Sequence, residues 1–571
     1  MLTYKLKAVI QSLNDILAFR LQTDAYSIDM TPNEVREQLI KNSIKIDKIQ
    51  LSSENEIFYN LEGIERIDCI GSSISNSTNS IFVSDDTLNL LITNEIAKKQ
   101  KRIQYNSIID YIEGKHRNHE IYALYGLRRT GKTVLLLQAC KYCIEKGYKV
   151  AYATIPQNNS ISYRDINIAI QNLIKSQYKV LVIDEITYMK DFIGWSNILS
   201  DIVAKSGIRV IIAGTQSFAL YLASKYELLD RVYLKSTTYI SYKEFVRLLG
   251  NKDTSILDYI RYGGVLGYSR HIDTTYIESA IIDNIENTLR TYSRQQCWPK
   301  ISEALETGTL HTYVYTVINS ITKSGMLRSI RNIFRDHNLR SGISFDKELK
   351  SEIDIEYLED LRIKQSKLIG IKDSTPGDVI GELLVAFNKL EVTVNSTLIQ
   401  NNKEYTEPLY NQPGLRYAQV VELLDILFKK SLFDVQIDYA TLNKLKQKVI
   451  EDLEGRLIED AIVVHFIQRY SDKYKVYKLR TTDNKEIDII VQDKQTGSIA
   501  LIEVKRSNKI VDKQYRWLID ESITNYIQSR LGQITDRYVL YNGKDRDIQL
   551  SEAKTQILYR NISDFLLSGR E

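Results

Sequence analysis

The chain is short of cysteine, proline and histidine, with four, six and six of them among 571 residues. So few cysteines exclude a disulfide scaffold and suit a reducing compartment. Cys140 and Cys143 form a CxxC, but they fall inside a predicted helix. A redox pair belongs at a helix N-terminus, where the dipole lowers the thiol pKa. With no second CxxC or histidine pair to complete a zinc site, both read as buried packing. The histidines do not cluster at metal-ligand spacing, and His116 and His119 sit in a charged segment that reads as surface. Long apolar runs are also missing: "VLVI" and "RVIIAG" are far too short to cross a bilayer. Residues 1–24 carry scattered charges and no small-residue cleavage site, so they do not read as a signal peptide. Their apolar residues recur at helical spacing, which predicts an amphipathic helix packed on the body or, alternatively, on a membrane surface. Nor is there a large charge of one sign, since 76 basic and 72 acidic side chains leave a net +4. That balance excludes a nucleic-acid coat protein and leaves room for a local basic groove. The expectation is a soluble cytoplasmic protein without membrane partners.

What is present is domain-scale patterning. A chain of this length folds as three or four domains. Residues 1–95 form an N-terminal region of unassigned role, in which "GSSISNSTNS" (71–80) reads as an exposed loop. In 96–250, "IYALYG", "KVAYAT", "KVLVIDE" and "RVIIAGT" alternate with helical patterns, predicting a parallel α/β sheet. Residues 251–435 are mostly helix-patterned, and 436–571 return to a long helix followed by strands.

"GLRRTGKT" fits the phosphate-loop pattern G-x-x-x-x-G-K-[ST] with Gly126, Gly131, Lys132 and Thr133. Glycines let backbone amides curl around an anion, and the helix that follows aims its positive dipole end at the same place. Residues 126–134 (Gly126, Leu127, Arg128, Arg129, Thr130, Gly131, Lys132, Thr133, Val134) are therefore the expected nucleotide cradle. Lys132 reaches the β/γ-phosphates and the Thr133 hydroxyl is a ligand for Mg²⁺. "KVLVIDEI" ends a buried strand with Asp184, a candidate metal ligand, and Glu185, a candidate to polarise an attacking water. "RVIIAGTQS" ends in Thr215, Gln216 and Ser217, where Thr215 is placed to sense a γ-phosphate. No Asn-Lys-x-Asp guanine reader is present, so ATP is the expected nucleotide.

"LYGLRRTGKTVLL", "VLVIDEITYMKDFIGW", "RVIIAGTQSFAL" and "ISYKEFVRLLG" together resemble the AAA-type ATPase domain of a large bacterial and archaeal family related to STAND ATPases. Trp195 fits this resemblance. Leu127 stands where a proline is common, Ala213 where a threonine is common, and neither change removes a phosphate or metal ligand. Arg231 falls where the family often has a Gly-Arg pair, although Asp230 precedes it here. The resemblance makes Arg231 a candidate to reach the nucleotide from the sheet edge or a neighbouring subunit. It further implies a winged-helix region, in which "RYGGVLGY" corresponds to the lid helix. "LVAFNKLEVTVNSTLIQNNKEYTEPLY" corresponds to the winged-helix strand pair. A winged helix reads a DNA groove or serves as a rigid packing element.

In "KEIDIIVQD" and "SIALIEVKRS", side chains alternate along the strands, so Glu503 and Lys505 share one face. Asp488 lies on the preceding strand, and Glu459 in "GRLIEDAIVV" offers a third carboxylate. Such a set can hold a divalent cation and position a water for attack on phosphorus. The spacing Asp488 … Glu503-Val504-Lys505 is that of the PD-(D/E)xK fold, which implies a restriction-endonuclease-like α/β domain using Mg²⁺ or Mn²⁺. Two functions follow. One is an ATP-hydrolysing switch driving a DNA nuclease through Asp488, Glu503 and Lys505. The other is an ATP-dependent module that docks DNA or a protein on an inert nuclease-like domain. A third possibility is a signalling ATPase in which the N-terminal region senses a protein partner.

Overall fold

In a computed structural model of the chain, the segment expected to be an N-terminal helix is a pair of antiparallel strands. These are β1 (Tyr4–Ser12) and β2 (Asp15–Gln22), with Lys5 opposite Gln22 and Lys7 opposite Arg20. The period is two, not 3.6: Tyr4, Leu6, Ala8 and Ile10 alternate with Lys5, Lys7 and Val9. Together with β3 (Ser27–Met30), β4 (Ile46–Leu51) and β5 (Ile57–Leu61) they form an antiparallel sheet in the order β3-β2-β1-β5-β4. The chain divides into two compact units, Met1–Ser80 and Ile81–Glu571. Described residues are these five strands, and 81–323, 379–429 and 439–569 apart from short stretches. The 71–80 segment, His119 and the last residues of "YGGVLGY" lie outside them.

In the second unit five strands lie parallel in the order β10-β6-β9-β8-β7. They are β6 (Ile121–Tyr125), β7 (Val150–Thr154), β8 (Val180–Asp184), β9 (Arg209–Gly214) and β10 (Val232–Ser236). Strands covered on both faces should read as unbroken apolar runs, and "VLVI" and "RVIIAG" do so because every residue of β8 and β9 is buried. Register fixes where the chemistry goes. Pairing Tyr125 with Gly214 and with Ser236 brings the C-terminal ends of β6, β9 and β10 to one edge.

The following helices pack into the same core as one face of this sheet. Phe218, in the helix Ser217–Tyr226, meets Trp298 edge to face at 5.0 Å. Ser255 and Asp258 form a reciprocal cap that starts the helix Ile256–Tyr262.

The strand pair expected to be a wing has a different home. β11 (Thr393–Gln400) and β12 (Lys403–Tyr410) form a hairpin turned by Asn401 and Asn402, both at positive φ (51° and 61°). Asparagine tolerates that conformation, as a two-residue hairpin loop requires. β11 then pairs parallel with β13 (Tyr474–Arg480) and extends an eight-stranded mixed sheet. Its other strands are β14 (Glu486–Asp493), β15 (Ile499–Lys505), β16 (Ile534–Tyr541), β17 (Arg546–Leu550) and β18 (Thr555–Asn561). The order is β12-β11-β13-β14-β15-β16-β18-β17. The long helix Tyr439–Tyr470 contributes Leu457, Ile458 and Ile462 to the core on one face of it. Ile523 and Ile527, from the helix Glu521–Arg530, pack on the other. A sequence boundary at 435 therefore cuts through what the sheet joins.

Among the described residues no helix is long and apolar enough to cross a membrane. Cys140 and Cys143 are free and buried, and burial pushes the Cys143 thiol up to about 12. That fits packing rather than redox chemistry. His116 is not a plain surface residue, because its ring stands 4.6 Å from Tyr233 beside Tyr111 and Tyr122.

Candidate functional site

Gly126 follows β6 at φ 138°, where a Cβ would meet Thr237 Oγ1 at 2.6 Å and Thr238 Oγ1 at 2.8 Å. Only glycine fits both the angle and the space. Gly131 caps the helix Lys132–Glu145 at φ 85°. Between them the loop is pinned from behind. The Gly126 amide donates to Ser217 Oγ (3.1 Å) and the Leu127 amide to Thr238 Oγ1 (3.0 Å). The Thr130 hydroxyl donates to Leu127 O at 2.8 Å.

Lys132 is buried, and its ammonium donates to Gly126 O and Leu127 O, both at 2.9 Å. Burial brings its pKa down to about 8 against the pull of the Glu185 and Asp184 carboxylates. Thr133 Oγ1 donates to Asp184 Oδ2 at 2.7 Å. Burial, reinforced by the neighbouring Glu185 charge, pushes Asp184 up to about 6. Glu185 sits in left-handed backbone (φ 52°), with its Oε2 accepting from the Thr215 amide (2.9 Å) and hydroxyl (2.7 Å). Tyr188 OH lies 3.2 Å from Thr215 Oγ1 and accepts from Arg128 Nη2 at 3.2 Å. Lys132, Thr133, Asp184, Glu185 and Thr215, from three strand ends, thus surround one point. That arrangement can cradle an anion, hold a divalent cation through the Thr133 and Asp184 oxygens, and keep a carboxylate beside it.

Arg231 does not join them. It precedes β10, and its carbonyl accepts from the amide of Ile121 at the start of β6, the end of the sheet opposite the loop. Its guanidinium is committed to Asp201 (2.9 Å). A parallel strand has its first residue a full strand length from its last, so within this chain Arg231 is no nucleotide ligand.

Several residues around the loop were not singled out from the sequence. Tyr276 OH donates to Arg128 O (3.1 Å), and the Leu266 amide to Arg129 O (2.6 Å), joining the helical region to the loop. Glu391, in the turn before β11, accepts from Tyr125 OH (2.7 Å) and from Ser236 Oγ. Burial pushes Glu391 up to about 7, opposed by its bonds to Tyr125 and Thr238. No local signal marks it, because an acidic residue in a turn ordinarily faces water.

The folded state therefore holds the Glu391 proton more tightly than the unfolded chain does. Stability present below its ordinary value of 4.5 is lost as pH rises through about 7. Glutamine cannot titrate, so Glu391→Gln should gain on the unsubstituted chain by on the order of 3 kcal/mol across that window. Urea unfolding at a series of pH values measures this, and parallel curves would refute the buried neutral carboxyl.

The C-terminal carboxylates also converge. Lys505 Nζ lies 2.6 Å from Glu503 Oε2 and 3.3 Å from Asp488 Oδ2, and the Val504 amide donates to Asp488 Oδ2 at 2.8 Å. Burial, then the Asp488 charge, pushes Glu459 up to about 8 and Glu503 well above the carboxylate range. Burial works against the charge on Lys505, but Asp488 and Glu503 outweigh it and hold the ammonium above the usual lysine range. Among the described residues no group of three or more His, Cys, Asp or Glu is arranged to hold a metal ion. As the side chains stand, the cation between these carboxylates is Lys505. Glu503 Oε1 is buried with no hydrogen-bond partner, and that orphan oxygen fits a metal ligand.

Residues 118–246 match the family model described as an AAA domain, which supports an AAA-type ATPase domain in this part of the chain. Residues 454–558 match a domain of unknown function, DUF4143. No curated protein matches the chain. Among solved structures it is similar to the S. cerevisiae Hsp104-ADP complex at 13% identity and TM-score 0.25, over 66% of this chain and 51% of that one. It thus spans about half the length of Hsp104. It is also similar to AMPPCP-bound DnaA from Aquifex aeolicus at 12% identity and TM-score 0.21, over 63% of this chain and 97% of that one. A third is C. elegans PCH-2, at 16% identity and TM-score 0.21, over 50% and 87%. Likeness this distant says nothing of what the chain acts on.

Proposed function

We propose that the chain binds and hydrolyses ATP at the loop 126–134 and uses the cycle to control a metal-dependent nuclease site acting on DNA. The observation that carries the first half is the meeting of Thr133 with Asp184 beside a Glu185 held by Thr215. In this reading Lys132 exchanges its two loop carbonyls for β/γ-phosphate oxygens, and the loop amides take the rest of the phosphate charge. Glu185 orients the attacking water and takes up its proton. Thr133 and Asp184 would hold Mg²⁺, which supplies positive charge against the phosphates. The second half rests on Glu503 Oε1, a buried carboxylate oxygen without a partner. Glu459, Asp488 and Glu503 would hold Mg²⁺ or Mn²⁺, which supplies an activated water, and Lys505 would stabilise the charge developing on phosphorus.

A second reading is favoured by Lys505 already neutralising Asp488 and Glu503. The nuclease-like domain would then be an inert dock for DNA or protein, switched by ATP. One experiment separates the two. ATP turnover is followed with and without single- and double-stranded DNA, and the DNA is run on a gel with Mg²⁺ or Mn²⁺. The nuclease reading expects cutting by the unsubstituted chain that Glu503→Ala abolishes while ATP turnover persists. Cutting that survives in Glu503→Ala would refute the site, and DNA left intact under every nucleotide and metal condition would support the dock.

A further inference from the structure

The segment "ISYKEFVRLLG" carries a glutamate that the nucleotide chemistry above does not use. Glu244 is fully buried and forms a two-pronged pair with Arg102, Nε to Oε1 and Nη2 to Oε2, both at 3.0 Å. Nη1 of Arg102 donates to Thr130 O at 2.6 Å and to Thr237 O at 2.7 Å, and Nη2 donates to Tyr239 O at 3.0 Å. A guanidinium has five N–H donors in a fixed fork, and these five contacts use every one of them. Lysine has only three and cannot reproduce the set.

The acceptors are informative. Thr130 is the loop residue directly before Gly131 and Lys132, and Thr237 meets Thr130 again through their hydroxyls at 2.7 Å. Arg102 therefore holds the Thr130 carbonyl on its own side, which by peptide planarity turns the Gly131 amide to the opposite side. Its own segment is tied down on both sides. Gln138, in the helix Lys132–Glu145, donates to Lys99 O at 3.2 Å, and Arg247 donates to Lys101 O at 2.6 Å. Glu244 Oε1 accepts the Ile103 amide at 3.1 Å. Burying an ion pair costs desolvation, so a pair this saturated is better explained by the geometry it enforces than by net stability.

We infer that Arg102 is a positioning residue for the phosphate loop, oriented by Glu244, and that the pair sets nucleotide affinity. This rests on the ATP reading of the loop. The test measures dissociation constants for a non-hydrolysable ATP analogue, turnover at saturating ATP, and loop amide exchange without nucleotide. Arg102→Lys should weaken binding about tenfold, leave turnover at saturation within about twofold, and speed exchange of the 126–133 amides. Glu244→Gln should weaken binding in the same direction, and it decides the matter if Arg102→Lys does not fold. Arg416→Lys is the control, since it disturbs a different buried pair, Arg416–Asp460, and should leave affinity unchanged. A merely structural pair would lower stability in all three without separating affinity from turnover. Unchanged affinity and loop exchange in both Arg102→Lys and Glu244→Gln would overturn the positioning role while leaving the ATP reading intact. Failure of the unsubstituted chain to bind the analogue would overturn the ATP reading, and this inference with it.

Discussion

Glu185→Gln should bind ATP about as tightly as the unsubstituted chain and hydrolyse it about a hundredfold to a thousandfold more slowly. The amide keeps the size of the side chain and can still accept from the Thr215 amide and hydroxyl, so the apo geometry survives. What it loses is the capacity to take a proton from water. The left-handed backbone at Glu185 (φ 52°) aims the side chain across the strand ends toward Thr215. Thr215 engages Oε2 alone in these bonds, so the loss is expected in hydrolysis and not in binding. Single-turnover kinetics beside equilibrium binding separates the two. Equal losses in affinity and rate would mean that Glu185 shapes the pocket and is not the base.

Lys132→Ala should lose both properties: affinity for ATP falls steeply and turnover drops by at least about a hundredfold. Without nucleotide the ammonium also caps Gly126 O and Leu127 O in a buried place. Truncation removes the donor to Gly126 O, while Leu127 O keeps the Thr130 hydroxyl, at a cost of roughly 1–3 kcal/mol. The variant should therefore unfold at lower urea concentration, and ATP should not restore the difference. The unsubstituted chain, by contrast, should gain stability with ATP concentration in proportion to its binding. Protection of Lys132→Ala by ATP equal to that of the unsubstituted chain would refute the role.

Legibility followed sequence distance. Gly126 to Thr133 joins one strand to one helix, and that geometry is local enough to be read from spacing alone. Asp184, Glu185 and Thr215 were readable for a related reason. In a parallel sheet the C-terminal ends of neighbouring strands share an edge, so polar residues ending apolar runs must meet there. Alternation placed Glu503 and Lys505 on one face in the same way. The N-terminal strands misled because apolar residues spaced for a short helix also satisfy an alternating pattern, and pairing with neighbouring strands decides between them.

By itself, then, the sequence determined a glycine-framed loop between a strand and a helix, an acidic strand end beside it, and a carboxylate–lysine set at Asp488, Glu503 and Lys505. Each is a product of local backbone geometry and side-chain period. Tertiary structure alone decided that Arg102 grips Glu244 across 142 residues and fastens the loop. It alone put Arg231 at the far end of the sheet, Glu391 against Tyr125, and the 393–410 hairpin into the C-terminal sheet. Those outcomes depend on strand order, register and packing between distant segments, which no local pattern specifies.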